Sequence, residues 1–460
     1  MSPSSDSKAA GSREAKPMRL PDRELRRCLS VILVSWGVFG SAWMSTVMGA
    51  PFPVFARALG ASTFTFGLLS ALRFLAVIAQ IPGAYWIERA ESRKRIFFLM
   101  HIPSRLSWLL IAALPWIVPA EFSDLRVGIF MILLFGFGLM DAVGTVAWTP
   151  WVGDIIPERL RARFWAQRQR LATLTAMIIA LIVGWLLDRQ APGSFLIFSI
   201  VFAVAAVFGF LDIALYWRVP DIPMLKQPSL RLSEIIRRPL RDRRFRIYLI
   251  YVASSTVSGS IMGTFIWLYA LEALKLSKFH TNLYLITLGS LATVLTARTI
   301  GALADRFGNR PVLTLAWSGL ALTPILWVLA TPTNHTLLFV ASILGGACGG
   351  ATMMLGVNLI FAMTPRAARS AYVAQVSLAS GLAGFIAPVI AGAVAQMFVG
   401  VQVSFLWWRF GNLHLLLIAL SIYRALHTIL VVPRLPETRK VSALTMLKEL
   451  FSELRNRPKT

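Results

Sequence analysis

The sequence predicts an all-α polytopic membrane protein with twelve transmembrane helices in two pseudo-symmetric six-helix bundles. Three observations predict it. The 460-residue chain is 57% hydrophobic and 15% charged, where soluble globular domains average about 25% charged. Its apolar residues fall in twelve blocks, each about 20 residues or longer and so able to cross about 30 Å of hydrocarbon as a helix. A pattern also repeats between the halves: Pro157, Arg161, Phe164, Ala166 and Gln167 recur at one offset as Pro365, Arg369, Tyr372, Ala374 and Gln375. Backbone amides in lipid must be satisfied within the segment, so the blocks are helices. The strict alternation of a membrane barrel is absent.

In chain order, residues 1–27 are a cytoplasmic N-terminal tail. Residues 1–17 are polar and Ser-rich, lack the apolar core of a cleaved signal peptide, and read as disordered. Spans 1–6 follow within 28–217, at about 28–57, 63–87, 96–118, 127–151, 164–187 and 195–217. Residues 218–246 are a basic cytoplasmic linker with nine Lys/Arg, read as partly helical and lying on the inner membrane face. Spans 7–12 occupy 247–432, at about 247–274, 280–303, 311–331, 336–363, 371–397 and 410–432, and 433–460 form a cytoplasmic C-terminal tail.

The net charge is +25, and its distribution decides what it means. With the N-terminus inside, 34 Lys/Arg fall on the inner side and six on the outer: Arg57, Arg126, Arg189, Lys275, Lys278 and Arg409. That positive-inside bias puts both termini in the cytoplasm. The expected partner of this charge is an anionic inner leaflet rather than nucleic acid. Cys28 and Cys348 both lie in apolar spans, so no disulfide framework is indicated.

Ionisable residues inside the spans are costly and therefore informative. Arg73, Arg105 and Asp141 fall at similar mid-membrane depth in spans 2, 3 and 4. Asp141 should pair with Arg73 first and Arg105 second, either as a substrate or proton site or as an ion pair fixing helix register. Arg298 lies toward the inner end of span 8 and is expected at the cavity mouth, and Arg424 is mid-span in span 12. Asp212 is expected to cap the inner end of span 6. Arg168 and Arg170 are expected to snorkel inward or pair with Asp154. Trp151 and Trp217 fit an interfacial belt, whereas Trp43 does not. Gly136, Gly138, Gly345, Gly346, Gly349 and Gly350 read as close helix packing in preference to flexible hinges. The sequence contains no nucleotide-binding Gly-Lys-Ser/Thr loop, catalytic constellation or metal cluster, which points to a non-enzyme without cofactor or metal.

Between spans 8 and 9 stands Gly301-Ala302-Leu303-Ala304-Asp305-Arg306-Phe307-Gly308-Asn309-Arg310. This motif resembles the cytoplasmic signature loop of the major facilitator superfamily, and the resemblance covers essentially residues 28–437. It implies solute transport by alternating access. It also implies that Gly301, Asp305, Arg306, Gly308 and Arg310 form a gate that holds the outward-facing state. The equivalent loop between spans 2 and 3 keeps the charges Glu88 and Arg89 but replaces both glycines with Ala84 and Glu91, so that gate should be looser or differently shaped. The resemblance further implies that Trp36, Trp43, Trp148 and Trp151 lie on cavity-lining helices. Spans 3 and 12 are usually peripheral, which discounts Arg105 and Arg424 as ligands. The candidate substrate and coupling residues are therefore Arg73, Asp141, Arg298, Trp43, Arg105 and Arg424.

The span-4 Arg of drug–proton antiporters is missing from residues 129–134, their Gly-Pro pair is missing from span 5 and only partly resembled by Pro388 in span 11, and sugar-porter loop signatures are absent. The stretch from Ala147 to Arg163, with Gly184 to Asp188 and Arg434 to Glu437, is similar to a poorly characterised bacterial group of these transporters. The expected protein is a monomeric, ion-coupled, most simply proton-coupled, carrier of a small anionic or amphipathic solute in the bacterial inner membrane. The alternatives are a multidrug or toxic-compound efflux pump and, from another class, a non-transporting assembly factor or sensor on the same fold.

Overall fold

The structure is a computed structural model that describes residues 21–222, 240–331, 334–363, 369–405, 408–436 and 441–455. The core of the predicted linker, both chain ends and Pro365 of the internal repeat lie outside these residues. Twelve helices are long and apolar enough to cross a membrane. Spans 1–6 are Asp22–Ala58, Thr63–Ile87, Arg93–Ile117, Ala120–Ile155, Arg159–Asp188 and Leu196–Arg218. Spans 7–12 are Arg243–Ala273, Lys278–Phe307, Asn309–Leu329, Thr336–Ile360, Tyr372–Met397 and Asn412–Arg434.

Local chemistry sets the ends. Ser62 and Ser92 accept from the backbone N–H groups of Thr65 and Arg95, and Asp242 accepts from those of Arg244 and Phe245. Each bond satisfies an orphan donor of a first helical turn. Span 8 joins span 9 through one residue, Gly308 at φ 96, a conformation a Cβ would oppose. The matching connection between spans 2 and 3 has no glycine. It runs through the extended residues Ala90 and Ser92 and closes at Arg93 instead.

Three features differ from expectation. Span 1 begins at Asp22, inside the predicted tail. A short antiparallel hairpin pairs Val403–Phe405 with Trp408–Phe410 before span 12. The predicted C-terminal tail contains a helix, Ala443–Arg455, whose Met446 is fully buried in the same cluster as Phe307 and Val312.

The apolar core is divided unequally. One cluster runs across both halves, joining Trp43, Phe55, Phe130 and Phe202 to Phe265, Tyr269, Trp327 and Leu417. Two others each belong to one half and lie at its basic end. Cys28, Phe97 and Trp151 mark the first; Phe245, Trp317 and Leu359 mark the second. The halves are thus fused on the face that carries Arg57 and Lys278 and separate on the basic face.

Candidate functional site

The fused face is held by named contacts between the halves. Arg57, ending span 1, donates from Nε and Nη2 to the two carboxylate oxygens of Glu272 on span 7 (2.5 and 3.1 Å). Asp188, ending span 5, accepts from the backbone N–H groups of Lys278 and Phe279 (2.8 and 3.0 Å), capping the start of span 8 from the other half. Asn282 donates to the Ala180 carbonyl and accepts from the Ala50 N–H at 3.3 Å. Gly184 allows this closeness, since a Cβ there would sit 2.8 Å from the Lys278 carbonyl oxygen. Toward the middle of the molecule, Gly67 faces the Pro388 carbonyl, and Gly384 faces the Phe74 ring. Spans 2 and 5 therefore meet spans 11 and 8.

Midway across the N-terminal bundle, Arg105 donates from Nη1 to Asp141 Oδ1 at 2.8 Å. Its guanidinium also lies 3.6 Å over the Trp43 ring, an arrangement that stabilises a desolvated cation. The Arg105 side chain is 3% exposed and that of Asp141 is 34% exposed, so the carboxylate is the member that solvent reaches. His101 stands one turn before Arg105, with Nε2 3.7 Å from the same Asp141 oxygen and Nδ1 3.1 Å from the Phe97 carbonyl. Two glycines make room. A Cβ on Gly144 would overlap the His101 ring at 2.1 Å, and one on Gly209 would meet Arg105 Cδ at 2.7 Å and Trp43 Cδ1 at 2.8 Å. His101, Gly144 and Gly209 were not singled out from the sequence. Their signal was present as one histidine and two glycines inside apolar spans.

The pairing corrects the sequence order: Asp141 takes Arg105, not Arg73. Arg73 donates to Met48 Sδ at 3.0 Å and has Phe74 at 5.8 Å. Both arginines are at suitable depth, but the rotation of each helix about its axis decides which one faces span 4. The side chains of Arg105 and Arg424 are both buried, although they stand on spans 3 and 12. Arg424 is 4% exposed and donates to Ser258 Oγ (2.8 Å), the Leu320 carbonyl (2.8 Å) and Thr323 Oγ1 (2.9 Å). One turn on, His427 Nδ1 lies 2.7 Å from Ser254 Oγ, with the ring on Trp317.

Other residues move from their expected places. Asp212 does not cap span 6. It is 2% exposed, and Ser35 Oγ donates to it at 2.5 Å from a π-helical stretch of span 1, Ser35–Gly40. Asp154 pairs with Arg93 at 2.8 Å rather than with Arg168 or Arg170. The Arg168 guanidinium instead sits 5.0 Å from each of the Trp36, Trp148 and Trp165 rings. Trp151 is fully buried and donates to the Pro220 carbonyl, so it is not a belt residue, whereas Trp217 is largely exposed. Arg298 is exposed on span 8. Gly346, Gly350 and Gly138 are close-packing positions, while a Cβ on Gly136 or Gly349 would meet nothing within 4 Å.

In the signature loop Asp305 and Arg306 are exposed. Arg306 Nη2 lies 3.6 Å from Glu449 of the C-terminal helix, and Arg310 donates to the Pro433 carbonyl at 3.3 Å. Arg89 folds back over Tyr85 of its own helix at 3.3 Å. These three contacts each stay within one half of the molecule.

Comparison with known proteins adds the lineage. The model of the Major Facilitator Superfamily matches residues 34–281 and 247–459. No curated protein matches. Among solved structures, a bacterial homolog of the human lysosomal transporter Spinster, inward-facing and unoccupied, has a TM-score of 0.67 at 13% identity, covering 94% of this chain and 99% of that one. The nucleoside transporter NupG gives 0.65 at 14%, covering 89% and 98%. A D-xylose-proton symporter gives 0.64 at 15%, covering 90% and 98%. At these identities the likeness establishes the fold.

Proposed function

The chain belongs to the major facilitator superfamily, and we propose that it is a secondary active transporter that carries a small solute across a bacterial inner membrane by alternating access, coupled to protons. The positive-inside bias supports reading the basic face as cytoplasmic, with both termini inside. On that reading the fused face is the outer gate, and the structure is an inward-open state.

The Arg105–Asp141–His101 cluster carries the coupling proposal. The Phe97 carbonyl can only accept, so His101 Nδ1 bears a proton toward it. In the neutral ring that leaves Nε2 as a lone pair facing a carboxylate oxygen 3.7 Å away. The two atoms of the cluster able to take a further proton are Nε2 and an Asp141 carboxylate oxygen. His101 is buried, so such a proton arrives through Asp141, the accessible member. Protonating Asp141 removes the charge hydrogen-bonded to Arg105, which then keeps the Trp43 face, Ser104 and the longer-range attraction of the buried Asp212 carboxylate. Spans 1, 3 and 4 would be re-registered by one protonation, which is the differential contact that alternating access requires. The D-xylose-proton symporter on this fold is compatible with that scheme.

The excess of in-span arginines over in-span acids supports an anionic solute. Arg73 is half-buried at mid-span, where it meets the Met48 thioether and, at 5.8 Å, the Phe74 ring. A second reading, export of amphipathic compounds, is favoured by Met44, which is 39% exposed at the middle of span 1. The one-third exposure of Asp141 argues against a closed, non-transporting version of the fold. The test is a thermal-shift metabolite screen on purified protein, because a ligand that binds only the native state raises its melting temperature. Hits are then assayed in proteoliposomes with and without a pH gradient. Uptake of a hit that ignores the gradient, in the wild type and in Asp141→Asn alike, removes proton coupling.

A further inference from the structure

A cavity of about 670 Å³ opens at the basic ends of spans 3 and 6, apart from the Asp141 cluster, and Lys94, Arg95, Phe98, Leu99, Trp217 and Asp221 are among its lining residues. We propose that it binds one monoanionic phospholipid, with the phosphodiester on Lys94 and Arg95 and an acyl chain along Phe98 and Leu99.

The lining changes character with depth. Lys94 and Arg95 stand at the helix end, and Phe98 and Leu99 lie one turn further along span 3. Leu99 is 57% exposed and Trp217 is 72% exposed. Apolar surface of that size on a membrane span meets acyl chains. Trp217 leans on Phe98 with ring centroids 5.3 Å apart, which makes a wall at headgroup depth.

The cations are placed rather than merely present. Lys94 Nζ donates to the Trp217 and Val219 carbonyls at 3.0 and 2.7 Å. The ammonium is thereby fixed at the mouth, with a third N–H left to give. Arg95 is largely exposed, and its contact to Glu91 is 3.9 Å long, beyond hydrogen-bond distance. Asp221 accepts from Ser92 Oγ. Two cations and one carboxylate leave the lining with one net positive charge. A headgroup with one net negative charge balances it, and a zwitterionic headgroup does not. The carboxylate and the serine hydroxyl also offer acceptors to headgroup hydroxyls. A phosphatidylglycerol-type lipid meets all three conditions, whatever solute the protein carries.

The test uses the purified full-length chain in detergent. Melting temperature is followed with added phosphatidylglycerol, phosphatidylcholine or sn-glycerol 3-phosphate, and retained lipid is counted by native mass spectrometry. Phosphatidylglycerol should raise the melting temperature and remain bound, while the other two should do neither. Arg95→Gln, and separately Leu99→Trp, which fills the apolar part, should each abolish the preference for phosphatidylglycerol over phosphatidylcholine. If Arg95→Gln fails to fold, Leu99→Trp decides. Equal effects of the two lipids, or a preference that survives Leu99→Trp, overturn the proposal. A shift reproduced by glycerol phosphate alone overturns the lipid and leaves a free phosphoester site.

Discussion

Arg105 and Arg424 meet the cost of a buried guanidinium in opposite ways. Arg105 has a carboxylate and an indole face, whereas Arg424 has two hydroxyls and a backbone carbonyl. The first arrangement changes when a proton arrives; the second does not. This difference makes Asp141 the residue to test. Asp141→Asn removes the hydrogen-bonded anion of Arg105, which should destabilise the fold by about 1–3 kcal/mol, below the 3–5 kcal/mol typical of a fully buried pair because Asp141 is about one-third exposed and Asp212 still attracts the guanidinium. Adding Arg105→Met should recover thermal stability without recovering pH-dependent transport. Recovery of both would make the pair a structural register device. The sequence showed that Asp141 needs a cation, because depth can be counted along a span. It did not show which cation, nor that Asp212 turns toward Ser35, because those depend on how independent helices are rotated and packed.

Helices as units were more legible. Apolar block length is a local property, and each predicted span has a counterpart in the structure. The breaks within helices were not. π-helical stretches occur at Ser35–Gly40, Tyr269–Ala273, Leu283–Leu288 and His427–Val431, and tertiary packing rather than composition selects them. The C-terminal helix was missed because its apolar residues, Leu444, Met446, Leu447, Leu450 and Phe451, are too few to span a membrane and were counted with the charged tail around them. Close contact between spans 5 and 8 turns on Gly184, where a Cβ meets backbone rather than a flexible side chain. Gly184→Leu should therefore part the halves on the fused face. Spin labels at Arg189 and Lys275, both exposed and on opposite halves, should report a longer distance in the variant by pulsed electron resonance. An unchanged distribution would mean that the contact does not set the gate.

Over the whole molecule, Asp305 and Arg306 of the signature loop are exposed on the basic face, where each half keeps its own apolar core. The gating proposed for the loop would act in the alternative state, in which the basic ends of the halves meet. Asp305→Asn should leave folded yield near normal and strongly reduce transport of a screened substrate, with the population staying open on the basic face. Transport at the wild-type rate would end the gating assignment. The motif was visible as text, but the state in which it acts was not, because a sequence describes both states equally.

The unequal division of the core also has a calorimetric consequence. A single cluster crosses both halves, so melting either bundle exposes apolar surface of the other. The two bundles should behave as one cooperative unit in the conformation described here, giving one heat-absorption peak. Gly184→Leu, by loosening the shared cluster, should uncouple them and split the peak, with each half then held by its own basic-end core. A scanning calorimetry trace that is already double in the wild type would show that the shared packing does not bind the two halves into one unit.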